Sequence, residues 1–192
     1  MADPDEARLL DRARGGDEQA FGQLVEIHSD RVYRTLRRFG LDADEAGEVA
    51  QEVFLRAWRG LDRFEGRSQF STWLYRIAFN EAQRRLSRRR PAPAGAGGDP
   101  DGPDPIASIP DSPEHGPDAR ALDRELGEAV DAALSQLPPE LRAAVILRDL
   151  EGLSTNEAAA AAGVRPAAFK SRLHRGRIAL RPLLAPYIDQ PR

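Results

Sequence analysis

One stretch limits this chain more than any other: residues 91–119, PAPAGAGGDPDGPDPIASIPDSPEHGPDA. Proline removes backbone donors, glycine and aspartate favour turns, and there is almost no apolar content to bury. Such a segment cannot offset its own ordering entropy, so it is expected to be a flexible linker between two folded blocks, residues 1–90 and 120–192. As a coil it would span roughly 30 Å, and fully stretched about 100 Å. That reach is enough to hold two domains two turns of duplex DNA apart, about 70 Å.

Both flanking blocks carry helical periodicity, and the chain is expected to be all-α. Residues 5–14 place Ala7, Leu10 and Ala13 on one face, with Leu9 beside them, and Gly15-Gly16 ends that helix. Asp17 caps a second pattern through Ala20, Phe21, Leu24, Val25 and His28, continued by Val32, Leu36 and Phe39 up to Gly40. Residues 42–62 form the next helix, with Val49, Val53, Phe54, Ala57, Trp58 and Leu61 as its buried stripe. Ser71 is placed to cap a helix running to Arg90, with Leu74, Ile77, Ala78 and Ala82 inward. Beyond the linker, Leu122, Leu126, Ala129, Val130, Ala133 and Leu134 share a face, and Pro138-Pro139 starts another helix that Gly152 ends. Ser154 with Glu157 makes a capping box for a short helix closed by Gly163. Pro166 opens the last helix, with Phe169, Leu173 and Ile178, and Leu180 near them, expected inside.

Composition narrows the chemistry. Without cysteine there is no disulfide and no thiolate nucleophile or metal ligand, and the three histidines are far apart in sequence. No His/Asp/Glu grouping has metal-ligand spacing, so no cofactor or metal is expected. The N-terminal MADPDEARLL lacks an apolar signal core and no segment suits membrane insertion, which points to a cytoplasmic protein. The net charge of −3 hides segregation. Residues 42–52 are acidic without a basic residue, residues 82–90 hold five arginines without an acid, and residues 165–181 are again basic without an acid. Separate blocks of opposite sign suit a protein with several partners.

Two constellations point to nucleic acid. Residues 68–90 combine Phe70, Trp73 and Tyr75 with Arg76, Asn80, Gln83 and Arg84 off the apolar face. Aromatics stack unpaired bases, arginines hold phosphates, and Asn or Gln reads base edges. A core position for Trp73 is the competing reading. Residues 154–175 have a helix-turn-helix layout, with Ala159 as the small residue, Gly163 in the turn and Phe169 as the buried side chain. Its second helix carries Arg165, Lys170, Ser171, Arg172, His174 and Arg175, suited to the major groove.

DEAGEVAQEVFLRAWRGLDRF followed by FSTWLYRIAFNEAQRRL resembles the second region of bacterial RNA polymerase sigma factors of the extracytoplasmic-function subfamily (group 4). LPPELRAAVILRDLEGLSTNEAAAAAGVRPAAFKSRLHRGRIALR resembles that family's fourth region. The resemblance implies a non-enzymatic factor that directs core RNA polymerase to promoters and helps melt the DNA. It implies that Asp44, Glu48, Gln51, Glu52 and Leu55 dock on the clamp coiled coil of the polymerase's largest subunit. It places Phe70, Ser71, Trp73, Arg76, Asn80 and Arg84 on the −10 element, and Arg165, Lys170, Ser171, Arg172, His174 and Arg175 on the −35 element. An anti-sigma factor is a further partner that it implies.

The chain departs from the family pattern at Ala158 and Ala162, where a larger aliphatic is usual, and at Ala167-Ala168-Phe169 in place of Gly-Thr-Val. A thin helix-turn-helix core and a tilted recognition helix are the expected consequences. Two other readings remain at this point. A stand-alone helix-turn-helix regulator would need a dimer interface or effector pocket. A nucleic-acid enzyme would need a carboxylate cluster, for which residues 42–52 offer the one candidate.

Overall fold

The computed structural model describes residues 4–66, 68–89 and 122–188. The expected linker, Arg90 and the chain beyond 188 lie outside these residues. The described residues are helical, without a strand among them. The described residues divide into two compact units, one built mainly on residues 4–36 and 41–89, the other mainly on residues 122–188.

The N-terminal unit holds α1 (Pro4–Arg14), α2 (Glu18–Phe39), α3 (Ala43–Gly60), a short 3₁₀ turn (Leu61–Arg63) and α4 (Phe70–Arg89). Asp17 caps α2 as expected, its Oδ1 accepting from the Gln19 and Ala20 amides at 3.0 Å. The two stretches read on either side of His28 are one continuous helix. Asp42 caps α3 with a full capping box, accepting from the Glu45 amide at 2.9 Å while Glu45 reaches back to the Asp42 amide. The core is Leu24, Val32 and Leu36 of α2, Ala46, Val53 and Ala57 of α3, and Leu74, Tyr75, Ala78 and Ala82 of α4. Each large aliphatic buried there contributes about 1.5–3 kcal/mol.

Both caps carry a prediction for acid. The Ala20 amide, then Arg12, holds the Asp17 carboxyl below its ordinary value of 3.8. The Glu45 amide, then Arg89, does the same for Asp42. A depressed folded-state pKa means that this stabilisation is complete above pH 3.8 and is lost as pH falls through the lower folded value. Asp17→Asn and Asp42→Asn should each flatten the acid limb of a stability–pH curve below about pH 4 and leave its shape near neutrality unchanged. Urea midpoints across pH check this.

The C-terminal unit holds α5 (Leu122–Ser135), α6 (Pro139–Val145), a π-helical turn (Ile146–Leu150), α7 (Thr155–Ala161) and α8 (Pro166–Ile188). Pro139 starts α6 at a first-turn position, where a missing N–H costs nothing. Arg142 Nη2 donates to the Ser135 and Leu137 carbonyls at 2.7 and 3.1 Å and so closes the end of α5. Gly176 lets α6 and α8 cross closely: a Cβ there would lie 2.8 Å from Val145 Cγ2 and 3.1 Å from the Leu141 carbonyl oxygen.

Several expectations are corrected. The fourth helix starts at Phe70, so Ser71 lies inside its first turn and Gln69 takes the cap position, its carbonyl accepting from the Trp73 amide at 3.2 Å. Ala7 is exposed and Leu126 is largely so. On α8, Ile178 is 59% exposed, while Leu180 is buried. The inward register is Phe169, Leu173, Gly176 and Leu180, and Gly176 has no side chain to mark its place in the pattern.

Candidate polymerase and promoter surfaces

Three surfaces emerge, two on the N-terminal unit and one on the C-terminal unit. The first is the outer ridge of α3. Asp44, Glu48, Gln51, Glu52 and Leu55 are all exposed, at spacings that put them on one side of the helix. Leu55 is 51% exposed, which is unusual for a large aliphatic within an acidic row. It borders an apolar groove of about 600 Å³ between α2 and α3, lined by Phe21, Val25, Ala50, Phe54 and Trp58. Phe21 and Trp58 meet there with ring centroids 4.9 Å apart. The groove was not foreseen. Phe21 and Trp58 fit the apolar stripes, and their half-burial shows only when the two helices are set side by side.

Glu48 is not a free member of the ridge. It accepts from Arg85 of α4, which also reaches Glu45 at 3.4 Å. Arg89 bonds Asp42 at 2.9 Å and meets Glu45 as well. A second cluster joins Arg56 of α3 to Glu81 of α4 at 2.9 Å, and Arg84 to the same carboxylate at 2.7 Å. The acidic start of α3 and the basic end of α4, separate blocks in sequence, are thus largely partners of each other. The pairing with Glu48 and Glu45 raises the Arg85 pKa above its usual value. The arginines of these pairs remain partly solvated, so the pairs align the helices more than they stabilise them.

The second surface is α4. Trp73, Arg76, Asn80 and Arg84 recur every three or four residues, and all are exposed or half-exposed. Phe70 does not belong with them: it is 2% exposed and offers no face to a ligand. It packs beneath Trp73, with centroids 5.7 Å apart, and against Phe64 at 5.7 Å and His28 at 5.4 Å. Phe64 lies 5.2 Å from Trp73. Tyr75 also leaves the aromatic group, being wholly buried with the Arg31 guanidinium over its ring. Ser71 is half-buried, its hydroxyl 3.4 Å from Gln69 Oε1. Trp73 therefore stands half-exposed on an aromatic bed, neither fully in the core nor free of it. Phe64 and His28 are members of the bed that sequence reasoning missed, because the contacts join α2, the loop before α4 and α4 itself.

The third surface is the helix-turn-helix. The Ser154–Glu157 capping box forms, with the Ser154 amide 2.8 Å from Glu157 Oε2. Gly163 takes φ +62°, a left-handed conformation open to glycine, and the Val164 amide closes the turn on the Ala159 carbonyl at 2.9 Å. Ala158, Ala159 and Phe169 are fully buried. Arg165, Lys170, Ser171, His174 and Arg175 all face outward. Arg172 sits half-buried at the flank of this face. Arg177 is engaged elsewhere: Asp149 in the π turn grips it through two bonds of 2.9 and 2.5 Å, which also raises its pKa.

Two family models match the chain, Sigma-70 region 2 over residues 24–91 and Sigma-70 region 4 over residues 127–180. The RNA polymerase sigma-H factor of Pseudomonas aeruginosa is 34% identical over 95% of both chains. The chain belongs to the extracytoplasmic-function sigma factors. Another member, the sigma-E factor of Escherichia coli K12, is 34% identical over 94% of both chains. Among solved structures, CnrH in complex with the cytosolic domain of CnrY is 30% identical with a TM-score of 0.61, covering 98% of this chain and all of that one. As a sigma factor the protein serves promoter-directed transcription initiation. The α4 ridge falls within the region 2 match and the outward face of α8, up to residue 180, within the region 4 match. Among the described residues no helix is long and apolar enough to cross a membrane, and no cluster of His, Asp and Glu could hold a metal ion.

Proposed function

We propose a division of labour along the chain: residues 1–90 bind core polymerase and the −10 element, residues 91–119 connect, and residues 120–192 bind the −35 element. The α3 ridge of Asp44, Gln51, Glu52 and Leu55, with the α2–α3 groove, docks on the clamp coiled coil of the largest polymerase subunit. Leu55 and the groove supply apolar contact at the centre of an acidic rim. Glu48 acts chiefly through Arg85. An anti-sigma factor competes for this groove.

Trp73, Arg76, Asn80 and Arg84, with Ser71 at their edge, take the −10 element as melted strand. Phe70 supports Trp73 from below. The observation that carries this reading is the half-exposed indole on its aromatic bed, a rigid surface on which an unpaired base can stack. Extruding a base costs a few kcal/mol, and stacking on an aromatic returns about 1–3 kcal/mol of it. The factor thereby favours open strand over duplex, while the bond chemistry belongs to the polymerase. On α8, Lys170, Ser171, His174 and Arg175 enter the major groove, Arg165 holds phosphate, and Arg172 supports them from the flank. This work takes place in the cytoplasm, where polymerase and promoters are.

Reconstitution with bacterial core polymerase tests the reading. Co-elution and promoter-dependent transcripts are expected. Failure to bind core, together with tight sequence-specific duplex binding by the chain alone, would make it a stand-alone regulator. Within the reconstituted system, Trp73→Ala should weaken open-complex formation by about 1–3 kcal/mol and leave closed-complex affinity unchanged. Equal loss in permanganate footprints and in closed-complex gel shifts would show that Trp73 serves the fold alone.

A further inference from the structure

We propose that Arg14 of α1 is a positioning residue for strand recognition: it fixes the turn at Phe64–Gly66 and, through Phe64, the tilt of Trp73. The inference rests on the −10 role given to α4 above. α1 lies outside the matched region 2, which begins at residue 24. It nevertheless reaches the aromatic bed from two sides.

At one end of α1, Glu6 Oε1 lies 3.1 Å from His28 Nε2, and His28 meets the edge of Phe70. At the other, the Arg14 guanidinium does two things to one residue. It donates from Nη2 to the Phe64 carbonyl oxygen, and it stands over the Phe64 ring with Cζ 5.4 Å from the centroid. Asp11, one helical turn back, lies 3.7 Å from Arg14 Nη1 and steadies it. The turn needs such an anchor. Gly66 adopts φ +72°, where backbone freedom is greatest, and Arg14 Nη2 would be 4.0 Å from a Cβ placed there.

Phe64 then transmits the restraint. Its ring lies 5.2 Å from Trp73 at 35° and 5.7 Å from Phe70 at 72°. A half-exposed indole set against one fixed ring holds one orientation. Released from it, the same indole can swing and stack on any base with equal ease. Arg14 therefore governs discrimination among bases more than total affinity, although it touches no nucleotide.

The test is motif selection from a randomised single-stranded DNA pool by the full-length factor in holoenzyme. The wild type should enrich one motif. Arg14→Ala should keep its affinity for core and lose roughly five- to fiftyfold in discrimination at the base beside Trp73, from a hydrogen bond and a cation–π contact together. Arg14→Met keeps the aliphatic stem and its packing, so it decides the matter if the alanine variant unfolds. A blurred motif with an unchanged unfolding midpoint supports the proposal, and an unchanged motif in Arg14→Met overturns it. A wild type that enriches no motif fails at the −10 assignment itself and removes the basis for the Arg14 role.

Discussion

Phe169→Ala should unfold the C-terminal unit while the N-terminal unit stays folded. Phe169 has no exposed surface and is the largest wholly buried side chain of its unit. Removing its ring should cost about 3–5 kcal/mol, the range for a buried aromatic cut to alanine. Domains of this size have little more than that to lose. Both tryptophans, Trp58 and Trp73, lie in the N-terminal unit, which makes the measurement selective. Far-ultraviolet circular dichroism should lose helix at 25 °C or show an early thermal transition, while tryptophan emission reports an unshifted midpoint. Simultaneous loss of both signals would mean that the two units unfold as one. The valine common in this family at that place would underfill the same volume, so Phe169→Val should fall between wild type and alanine.

Leu55→Asp should abolish assembly with core polymerase at the concentrations at which the wild type binds. Leu55 is more than half exposed, so the substitution costs the fold little. Its role is proposed to lie in the complex, at the rim of the α2–α3 groove. Burying a carboxylate there without a partner, beside Gln51 and Glu52, should cost at least about 2–4 kcal/mol, roughly thirty- to a thousandfold in Kd. Fluorescence anisotropy of labelled factor titrated with core measures it. An unchanged Kd with a normal unfolding midpoint would move the polymerase contact off this ridge. Glu52→Ala on the same ridge serves as a comparison, since a rim charge should alter association rate and salt dependence more than affinity.

Much of this architecture can be read from the sequence because it is local. Helix periods, the Asp17 cap and the Ser154–Glu157 box each depend on residues within one or two turns. The helix-turn-helix could be read for the same reason: Ala159, Gly163 and Phe169 fall within one short motif. What escaped depends on residues far apart. Glu45 and Arg85 belong to separate blocks of charge, and their pairing exists only once α3 and α4 lie together. Phe70 looked like part of an open aromatic mouth because its cover, His28, comes from another helix. Ile178 was misplaced for a different reason. Glycine fills one inward slot of α8, and a pattern of apolar side chains skips the place where there is none. The groove beside Leu55 is a property of two helix faces and has no signature in either one alone.

The mutual pairing of α3 and α4 has a consequence for how the factor responds to ionic strength. Polyanion binding is driven in large part by displaced counterions, and only cations not already neutralised displace them. Arg84, Arg85 and Arg89 each meet an internal carboxylate, so part of the positive charge at this helix end is already answered within the protein. Lys170 and Arg175 stand outward on α8, and Arg165 is exposed just before it. On the roles proposed above, the salt sensitivity of promoter binding should therefore arise more at α8 than at α4, where stacking on Trp73 is proposed to work beside the arginines. Rising ionic strength should then loosen the proposed upstream contacts before the proposed downstream ones.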